Sequence, residues 1–249
     1  GVFYNPAMKL SRDLHVAFAQ KFELDGIMLD GLAASGIRGI RLNLEAEINV
    51  EFCDNSRMAV DTITNNLEMN GISSEVHHKR VEELLEEKKY DWIDIDPFGT
   101  PAPYLNAALK GINENGILGI AATDTAVLCG AKPSVCKTRY GAVSMKKVAA
   151  KEIGVRILLA KIHDLASKMG KGIEPLLCYS EGHHLRVFIK LIKNSKLILI
   201  SFQENFENIN NLKYFKNLKK NLEKKFEIKI IKNEFYKGNF FKKQKHFFF

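Results

Sequence analysis

The sequence predicts an α/β fold, in which a mostly parallel sheet carries helices on both faces. Between residues 25 and 122, short apolar runs alternate with segments of helical pattern, and several runs end in an acidic residue followed by a turn. Strands that alternate with helices favour parallel strands joined by crossover helices. The chain has 249 residues, of which 46% are hydrophobic, so it can bury a sizeable core and is not a wholly disordered protein.

Each element follows from a local pattern. Strands are predicted where apolar runs are short, over residues 25–30, 48–53, 75–78, 91–95 and 116–122. Helices are predicted between them, over residues 37–46, 56–70, 81–89 and 101–111, and Ser56 is the expected N-cap of the second. A long helix over residues 144–169 precedes two apolar segments, residues 172–180 and 184–192, that we expect to form an antiparallel pair. The prediction is a sheet of seven strands.

The charge of the chain is concentrated at its carboxyl end. The net charge is +8 for the whole chain, yet residues 193–249 hold 14 lysines and five glutamates, and residues 1–192 are nearly neutral. We therefore expect a main domain over residues 1–192 and a short basic α+β extension over residues 193–249, with strands near 197–202 and 226–231, a helix near 210–225 and a frayed end. Clustered lysines suit binding to RNA phosphates, although compositional drift toward Lys, Asn and Phe explains them equally well.

Cysteines and apolar runs limit the compartment and the partners. No apolar run reaches the about 18 residues that a membrane-spanning helix needs, and no secretory signal is visible, so no membrane partner is expected. The four cysteines form no CxxC pair, which argues against a structural zinc site, and no metal is expected. Reduced thiols fit a cytoplasmic protein.

Two acidic residues at predicted strand ends indicate a nucleoside site. Asp30 ends the first strand and is followed by small residues up to Gly36, and Asp54 ends the second strand, where it is placed to hold two ribose hydroxyls. The loop has one glycine in its helix-entry part instead of a GxGxxG pattern, which favours a nucleoside without phosphates, such as S-adenosylmethionine. The alternative is an ordinary strand–turn–helix.

A second motif, Asp96-Pro97-Phe98, follows the fourth strand and is the sharper signal. Proline ends the strand and leaves the carboxylate at the sheet edge. A carboxylate there suits methyl transfer to an exocyclic amine, because it accepts hydrogen bonds from the amine and takes up the proton that is lost, while an aromatic ring stacks on the base. The alternative is a plain Asp-Pro turn.

Two further polar and aromatic segments, residues 2–13 and 123–141, are expected to lie over the same edge of the sheet. Arg12 suits bidentate binding of a methionine carboxylate. Thr123 and Asp124 are expected to line the base pocket. For each of these residues, packing or a surface ion pair is an equally good interpretation.

Together these motifs resemble the tRNA (guanine-26-N2)-dimethyltransferase family. The matching stretches occur in the family's order, over residues 2–13, 29–41, 52–56, 94–101, 123–142 and 183–191. The resemblance covers about residues 2–192. It implies a Rossmann-like methyltransferase sheet, S-adenosylmethionine as cofactor, tRNA as partner, and transfer of one or two methyl groups to the exocyclic amine of guanine 26.

The resemblance also assigns roles by position. It implies that Arg12 and Arg38 contact the cofactor, that Asp54 holds its ribose, and that Asp96 is the catalytic carboxylate. Phe3 and Phe98 are expected to flank the base or the reacting methyl group. Arg80 and Val81 stand where the family has an Asp-Ala pair near the adenine, so backbone contacts there are compatible with this sequence and an acid-to-adenine hydrogen bond is not.

Two other functions remain open from the sequence. One is an amine methyltransferase that acts on another RNA or DNA base. The other is a non-catalytic tRNA-binding remnant of the family, which Arg80 and a tail shorter than the family's C-terminal domain suggest. The sequence predicts neither the number of methyl groups added nor the oligomeric state.

Overall fold

The computed structural model describes residues 2, 4–22, 26–146, 149–193 and 246–248. In chain order, the strands are β1 (Ile27–Asp30), β2 (Asn49–Asp54), β3 (Val76–His78), β4 (Tyr90–Ile95), β5 (Ile112–Ala122), β6 (Lys171–Glu181), β7 (His184–Lys193) and β8 (His246–Phe248). After a 3-10 turn, Pro6–Met8, the helices are α1 (Lys9–Phe22), α2 (Ile37–Ala46), α3 (Arg57–Met69), α4 (Val81–Glu87), α5 (Leu105–Gly111), α6 (Thr125–Leu128), α7 (Pro133–Tyr140) and α8 (Ala150–Lys168). None of the helices in these ranges has the length and apolar character needed to cross a membrane.

All eight strands belong to one mixed sheet, in the order β3-β2-β1-β4-β5-β7-β6-β8. The first five strands are parallel to one another, and β7, β6 and β8 continue the sheet from β5 in antiparallel fashion. The chain runs outward from β1 through β2 to β3 and then returns to place β4 on the other side of β1. This reversal leaves a crevice at the carboxyl ends of β1 and β4, where open α/β sheets bind their ligands.

The predicted α/β fold is confirmed, and seven of its strands follow the prediction. The structure adds β8, which lies within the stretch that we expected to fray and pairs with β6 at the edge of the sheet. The strand and helix predicted for residues 197–202 and 210–225, and the strand at 226–231, lie outside the described residues. The predicted boundaries of α3 hold, with Ser56 Oγ accepting the Ala59 N–H at 3.5 Å.

Helices cover both faces of the sheet, and each face has its own apolar core. Leu84, Leu109 and Leu158, from α4, α5 and α8, are buried in one core. Phe18 of α1, with Leu42 and Ile63 of α2 and α3, is buried in the other. Side chains of the central strands alternate between the two cores because successive residues of a strand point to opposite faces.

The first helix, α1, is the largest element that the sequence did not predict. Its buried face carries Arg12 and His15 beside Val16, Phe18 and Ala19. Because charged and polar residues occupy part of the buried face, the apolar period of an amphipathic helix is interrupted. The structure also forms α6 and α7 between β5 and α8, where no element was predicted.

Candidate active site

A cavity of about 570 Å³ opens at the carboxyl edge of the parallel strands. Eight of the predicted site residues line it: Arg12, Asp30, Arg38, Asp54, Asp96, Pro97, Phe98 and Thr123. They come from six separate parts of the chain, namely α1, α2, the ends of β1 and β2, the turn after β4, and the loop after β5. The sheet topology therefore brings together residues that were chosen from separate motifs.

The loop between β1 and α2 forms one wall and fixes Asp54. The Ala34 N–H donates to Asp54 Oδ2 at 3.0 Å, and the Ser56 N–H donates to Oδ1 at 2.9 Å. A carboxylate oxygen accepts more than one hydrogen bond, so both oxygens retain capacity for ligand hydroxyls. Gly36, with φ +73°, turns the chain into α2 in a backbone conformation that favours glycine. The small side chains of this loop keep the cavity wall close to the backbone.

Asp30 lies deeper, beneath the same loop. Its side chain is buried, and the Gly39 N–H of α2 donates to Asp30 Oδ2 at 3.1 Å. Burial, followed by the nearby charge of Asp94, raises the pKa of Asp30 to about 7. At neutral pH this carboxyl therefore exists in both protonated and ionised forms.

Asp96 is held as a charged group at the opposite wall. Pro97 follows it directly and prevents β4 from continuing. Arg38, from α2, forms an ion pair with Asp96 Oδ2. Burial by itself would raise the pKa of Asp96, but the positive charge of Arg38 outweighs it, with a further contribution from His184, and the pKa lies well below its ordinary value. Asp96 is therefore an ionised hydrogen-bond acceptor throughout the neutral range.

Beneath Asp96 lies a buried charge network that spans three strands. Asp94 of β4 forms an ion pair with Arg186 of β7, and both side chains are fully buried. The pair crosses over β5 at Gly119, where a Cβ atom would overlap with Asp94 Oδ1 and lie 2.8 Å from Arg186 Nη2. Arg38 Nε is 3.3 Å from Asp94 Oδ2, so this arginine joins the buried carboxylate to Asp96.

Helix α1 closes the network from the solvent side. His15 Nδ1 is 3.1 Å from Arg38 Nη1, and the His15 ring is fully buried against Trp92 and Phe188. Burial, with the charges of Arg186 and Arg38, lowers the pKa of His15 well below its ordinary value. His15 is therefore a neutral group beside Arg38.

The mouth of the cavity is aromatic. Phe98 is 77% exposed and Tyr4 is 55% exposed, although both line the cavity. The turn that presents Phe98 is tied to the loop after β5, because the Gly99 N–H donates to Thr123 Oγ1 at 2.7 Å and the Thr123 N–H donates to the Gly99 carbonyl at 2.8 Å. Exposed rings on a fixed turn form a surface on which a planar base can stack.

Three predicted site residues do not line this cavity. The carboxylate of Asp124 accepts hydrogen bonds from Arg139 Nη1 at 2.8 Å and from the Tyr140 hydroxyl at 2.9 Å, which favours the ion-pair interpretation of this segment. Arg80 is exposed and pairs with Glu82 at 2.9 Å, and Val81 is buried in the core under α4. Phe3 lies outside the described residues.

The main lining residue that the sequence analysis missed is His184, the first residue of β7. Because β7 is antiparallel to β5, its amino end lies at the carboxyl edge of the parallel strands, as the pairing of Leu185 with Ala122 shows. The available signal was the predicted antiparallel pair: the first residue of its second strand must reach the same edge as Asp96. No sequence pattern indicated that Arg186 and Asp94 would pair. Their ion pair crosses a strand that lies between them, and it forms because Gly119 on that strand has no side chain.

A second group of ionisable residues lies elsewhere, on β2, on β3 and directly before β3. Glu51, Glu75 and His77 bring potential metal-ligating atoms within 4.8 Å of one another. Lys88 Nζ is 2.6 Å from Glu51 Oε1, and the Tyr90 hydroxyl donates to Glu51 Oε2 at 2.9 Å. A lysine ammonium already compensates the charge, so these residues form an ion-pair network and carry no metal assignment.

Comparisons with known proteins agree with this geometry. A family profile described as N2,N2-dimethylguanosine tRNA methyltransferase matches residues 1–245. The tRNA (guanine(26)-N(2))-dimethyltransferase of Pyrobaculum arsenaticum is 40% identical over 200 residues, covering 78% of this chain and 56% of the relative. The enzyme of the same name from Thermoplasma acidophilum is 36% identical over 191 residues, covering 77% of this chain and 55% of the relative.

A solved structure is similar over the same part of the chain. Trm1 from Pyrococcus horikoshii, solved in complex with S-adenosyl-L-methionine, superposes with a TM-score of 0.74 at 35% sequence identity, covering 78% of this chain and 57% of that one. The chain thus spans little more than half the length of these relatives. Because the profile matches nearly the whole chain, we conclude that the chain belongs to the N2,N2-dimethylguanosine tRNA methyltransferase family.

Proposed function

We propose that this chain transfers one or two methyl groups from S-adenosylmethionine to the exocyclic amine of guanine 26 in tRNA. The observation that carries the proposal is that Asp54 and Asp96 line one cavity, the first suited to ribose hydroxyls and the second held ionised at an aromatic mouth. The names of the relatives supply the substrate.

The cavity fits the cofactor by the chemistry of its donors and acceptors. Asp54 offers two anchored carboxylate oxygens for the ribose, and the loop between β1 and α2 offers a wall of small side chains. We assign the methionine carboxylate to Arg12, because the guanidinium of Arg38 is engaged by Asp94 and Asp96. When bound, S-adenosylmethionine supplies an electrophilic methyl group.

The other wall suits the substrate amine. The lone pair of a guanine amine is delocalised into the base, so the nitrogen must be oriented before it reacts. An ionised Asp96 accepts a hydrogen bond from the amine and directs its lone pair toward the methyl group. Phe98 at the mouth suits stacking on a base that has left its helix. Thr123, bonded to the turn that carries Phe98, keeps this wall in place.

The same proposal covers the domain division, the partner and the compartment. We propose residues 1–192 as the methyltransferase domain and residues 193–249 as a basic region that contributes to tRNA affinity, in addition to supplying β8. The four cysteines, Cys53, Cys129, Cys136 and Cys178, are all free, which supports action in the reducing cytoplasm. Arg80 and Val81 stay proposed as backbone neighbours of the adenine.

The test is incubation of the purified chain with S-adenosylmethionine and unmodified tRNA, followed by mass spectrometry of the nucleosides and mapping of the modified position. We expect N2-methylated guanosine at position 26. Asp96→Asn is expected to abolish the product, and Asp61→Asn, which changes an exposed carboxylate on α3, is the matched control. Methylation at another nucleotide would indicate a different amine substrate, and tRNA binding without turnover would indicate a non-catalytic family member.

A further inference from the structure

His184 is a buried side chain that lines the cavity and has no role in the methyl transfer proposed above. It is 3% exposed and lines the cavity from the amino end of β7. Both of its ring nitrogens are buried, and neither has a hydrogen-bond partner among the described residues. A buried polar group without a hydrogen bond is costly in a folded protein and therefore suggests a functional use.

The group that His184 faces is Asp96. His184 Nε2 lies 3.8 Å from Asp96 Oδ1, while the other carboxylate oxygen, Oδ2, is engaged by Arg38. A shift of about 1 Å brings the imidazole and the free oxygen to hydrogen-bond distance. The two carboxylate oxygens therefore have different neighbours, a permanent cation on one side and an imidazole on the other.

We propose that Asp96 and His184 form a proton relay, in which His184 receives the proton that Asp96 takes from the substrate amine. The inference rests on the proposed methyl transfer. When the new N–C bond forms, the electron pair of the C–S bond leaves with sulfur, and the amine nitrogen becomes positively charged. An N–H bond then breaks, its electron pair neutralises the nitrogen, and the proton passes to Asp96 Oδ1 and onward to His184 Nε2.

The electrostatics of Asp96 make the second transfer favourable. Although burial by itself raises the pKa of Asp96, Arg38 lowers it well below its ordinary value, so a protonated Asp96 is a strong acid. The His184 imidazole faces the carboxylate oxygen that Arg38 leaves free, so it is the base within reach of this proton. Passing the proton to His184 returns Asp96 to its ionised form, which a second methyl transfer to the same nitrogen requires.

Other ionisable groups near the pair come from three elements. The ring of Tyr179, on β6, lies 6.3 Å from the His184 ring, and Glu181 pairs with His184 in the β6–β7 ladder. Arg186, two residues along β7, acts on Asp96 from the same face of the strand. Asp30 lines the same cavity and is the competing proton acceptor, since its pKa is about 7.

The test compares His184→Gln with His183→Gln, an exposed histidine next in sequence that does not line the cavity. We expect His184→Gln to lower kcat at pH 7 by about tenfold, less than the roughly 100- to 10,000-fold that loss of the general base itself costs, with KM for tRNA and S-adenosylmethionine changed by less than about twofold. His183→Gln is expected to match the wild-type chain. Thermal melting and the affinity for S-adenosylmethionine report on folding of each variant.

Two further measurements separate a relay from a structural role. In His184→Ala, added imidazole is expected to restore activity, with a pH dependence that follows the neutral fraction of the free imidazole, and no such rescue is expected in Asp96→Asn. In the protein without ligands, histidine-selective NMR is expected to show that Asp96→Asn shifts the ring signals of His184 and leaves those of His183 in place.

Several outcomes overturn the relay. If His184→Gln turns over like His183→Gln, or if imidazole restores nothing in a folded His184→Ala, His184 takes no proton. If Asp30→Asn removes the pH dependence that His184→Gln retains, Asp30 is the acceptor instead. A wild-type chain that does not methylate tRNA overturns the proposed function and the relay with it, whereas an active wild type with an active His184→Gln overturns the relay alone.

Discussion

Arg186→Met is expected to destabilise the protein although this residue does not line the cavity. The substitution keeps an unbranched side chain of similar length and removes the guanidinium that faces Asp94 across β5. Breaking a fully buried ion pair by removing one partner costs about 3–5 kcal/mol, because the other charge stays buried. Asp94 keeps Arg38 at 3.3 Å, so we expect a loss near the lower limit, about 3 kcal/mol.

The loss should depend on pH in a defined direction. Burial raises the pKa of Asp94 above its ordinary value even with both arginines present. Removing Arg186 raises this pKa further, so the folded variant binds a proton that the unfolded chain releases. The free energy of unfolding then falls as pH rises from the ordinary pKa of an aspartate to the raised pKa of Asp94 in the folded variant. The difference in stability between the wild type and the variant should therefore be larger at pH 8 than at pH 5.

The assay is urea unfolding followed by fluorescence and circular dichroism. Trp92 is the single tryptophan of the chain, it is buried, and its ring lies 6.5 Å from Phe188 on β7, so its emission reports on this region. The control is Lys190→Met, which removes a partly exposed charge from the same strand and should change stability by less than about 0.5 kcal/mol.

A double substitution completes the argument. Asp94→Asn combined with Arg186→Met removes both charges, and we expect it to be less destabilising than the sum of the two single changes by about 1–3 kcal/mol, because no unpaired carboxylate remains. The reasoning is refuted if Arg186→Met stays within about 1 kcal/mol of the wild type at both pH values, or if the two single changes add.

Three further predictions concern the cavity and the tail. Asp54→Ala should weaken binding of S-adenosylmethionine by about 1.5–3 kcal/mol, or roughly 10- to 150-fold in Kd, because the ribose loses charged acceptors; calorimetry with Asp61→Ala as control checks this, and an unchanged Kd would exclude Asp54 as the ribose ligand. The wild type should lose stability between about pH 4 and pH 7, because the pKa of Asp30 is raised to about 7 and its ionisation destabilises the folded state by up to about 4 kcal/mol. Asp30→Asn should remove this loss. Urea unfolding at pH 5 and pH 8 measures it, and parallel pH profiles for both proteins would contradict it. Replacing lysines of residues 194–245 by glutamine should reduce the slope of log K for tRNA binding against log salt concentration, by about 0.7–0.9 for each phosphate that a lysine no longer neutralises. An equal slope would show that these lysines do not bind the phosphates.

The elements of the α/β core were predictable because each depends on local patterns. Apolar runs that end in Asp30, Asp54 and Ile95 correspond to β1, β2 and β4 within two residues. By contrast, α1 was missed because His15 and Arg12 lie on its buried face. Arg12 donates to the Asn5 carbonyl and His15 lies against Arg38, and a hydrophobic period cannot represent such polar contacts.

Part of the candidate site was also predictable from the chain. Asp30, Asp54 and Asp96 each follow an apolar run, and parallel strands necessarily bring such ends to one edge of a sheet. Asp124 had the same position after β5, yet its carboxylate turns to Arg139 and Tyr140. Sequence position selects the edge of the sheet, and it does not select the direction of a side chain in a loop.

The sequence by itself determined the fold class, the family resemblance and the carboxylates at the strand ends, because these depend on periodicity and on short motifs. Only the tertiary structure decided how those carboxylates are charged. Asp30 ends β1 and Asp96 directly follows β4, yet burial raises the pKa of Asp30 to about 7, while Arg38 holds the pKa of Asp96 far below its ordinary value. The difference arises because α2 and β7 bring Arg38, His184 and Arg186 to the end of β4. Desolvation and Coulomb interactions depend on the distances between these side chains and the carboxylates, and not on their spacing in the sequence.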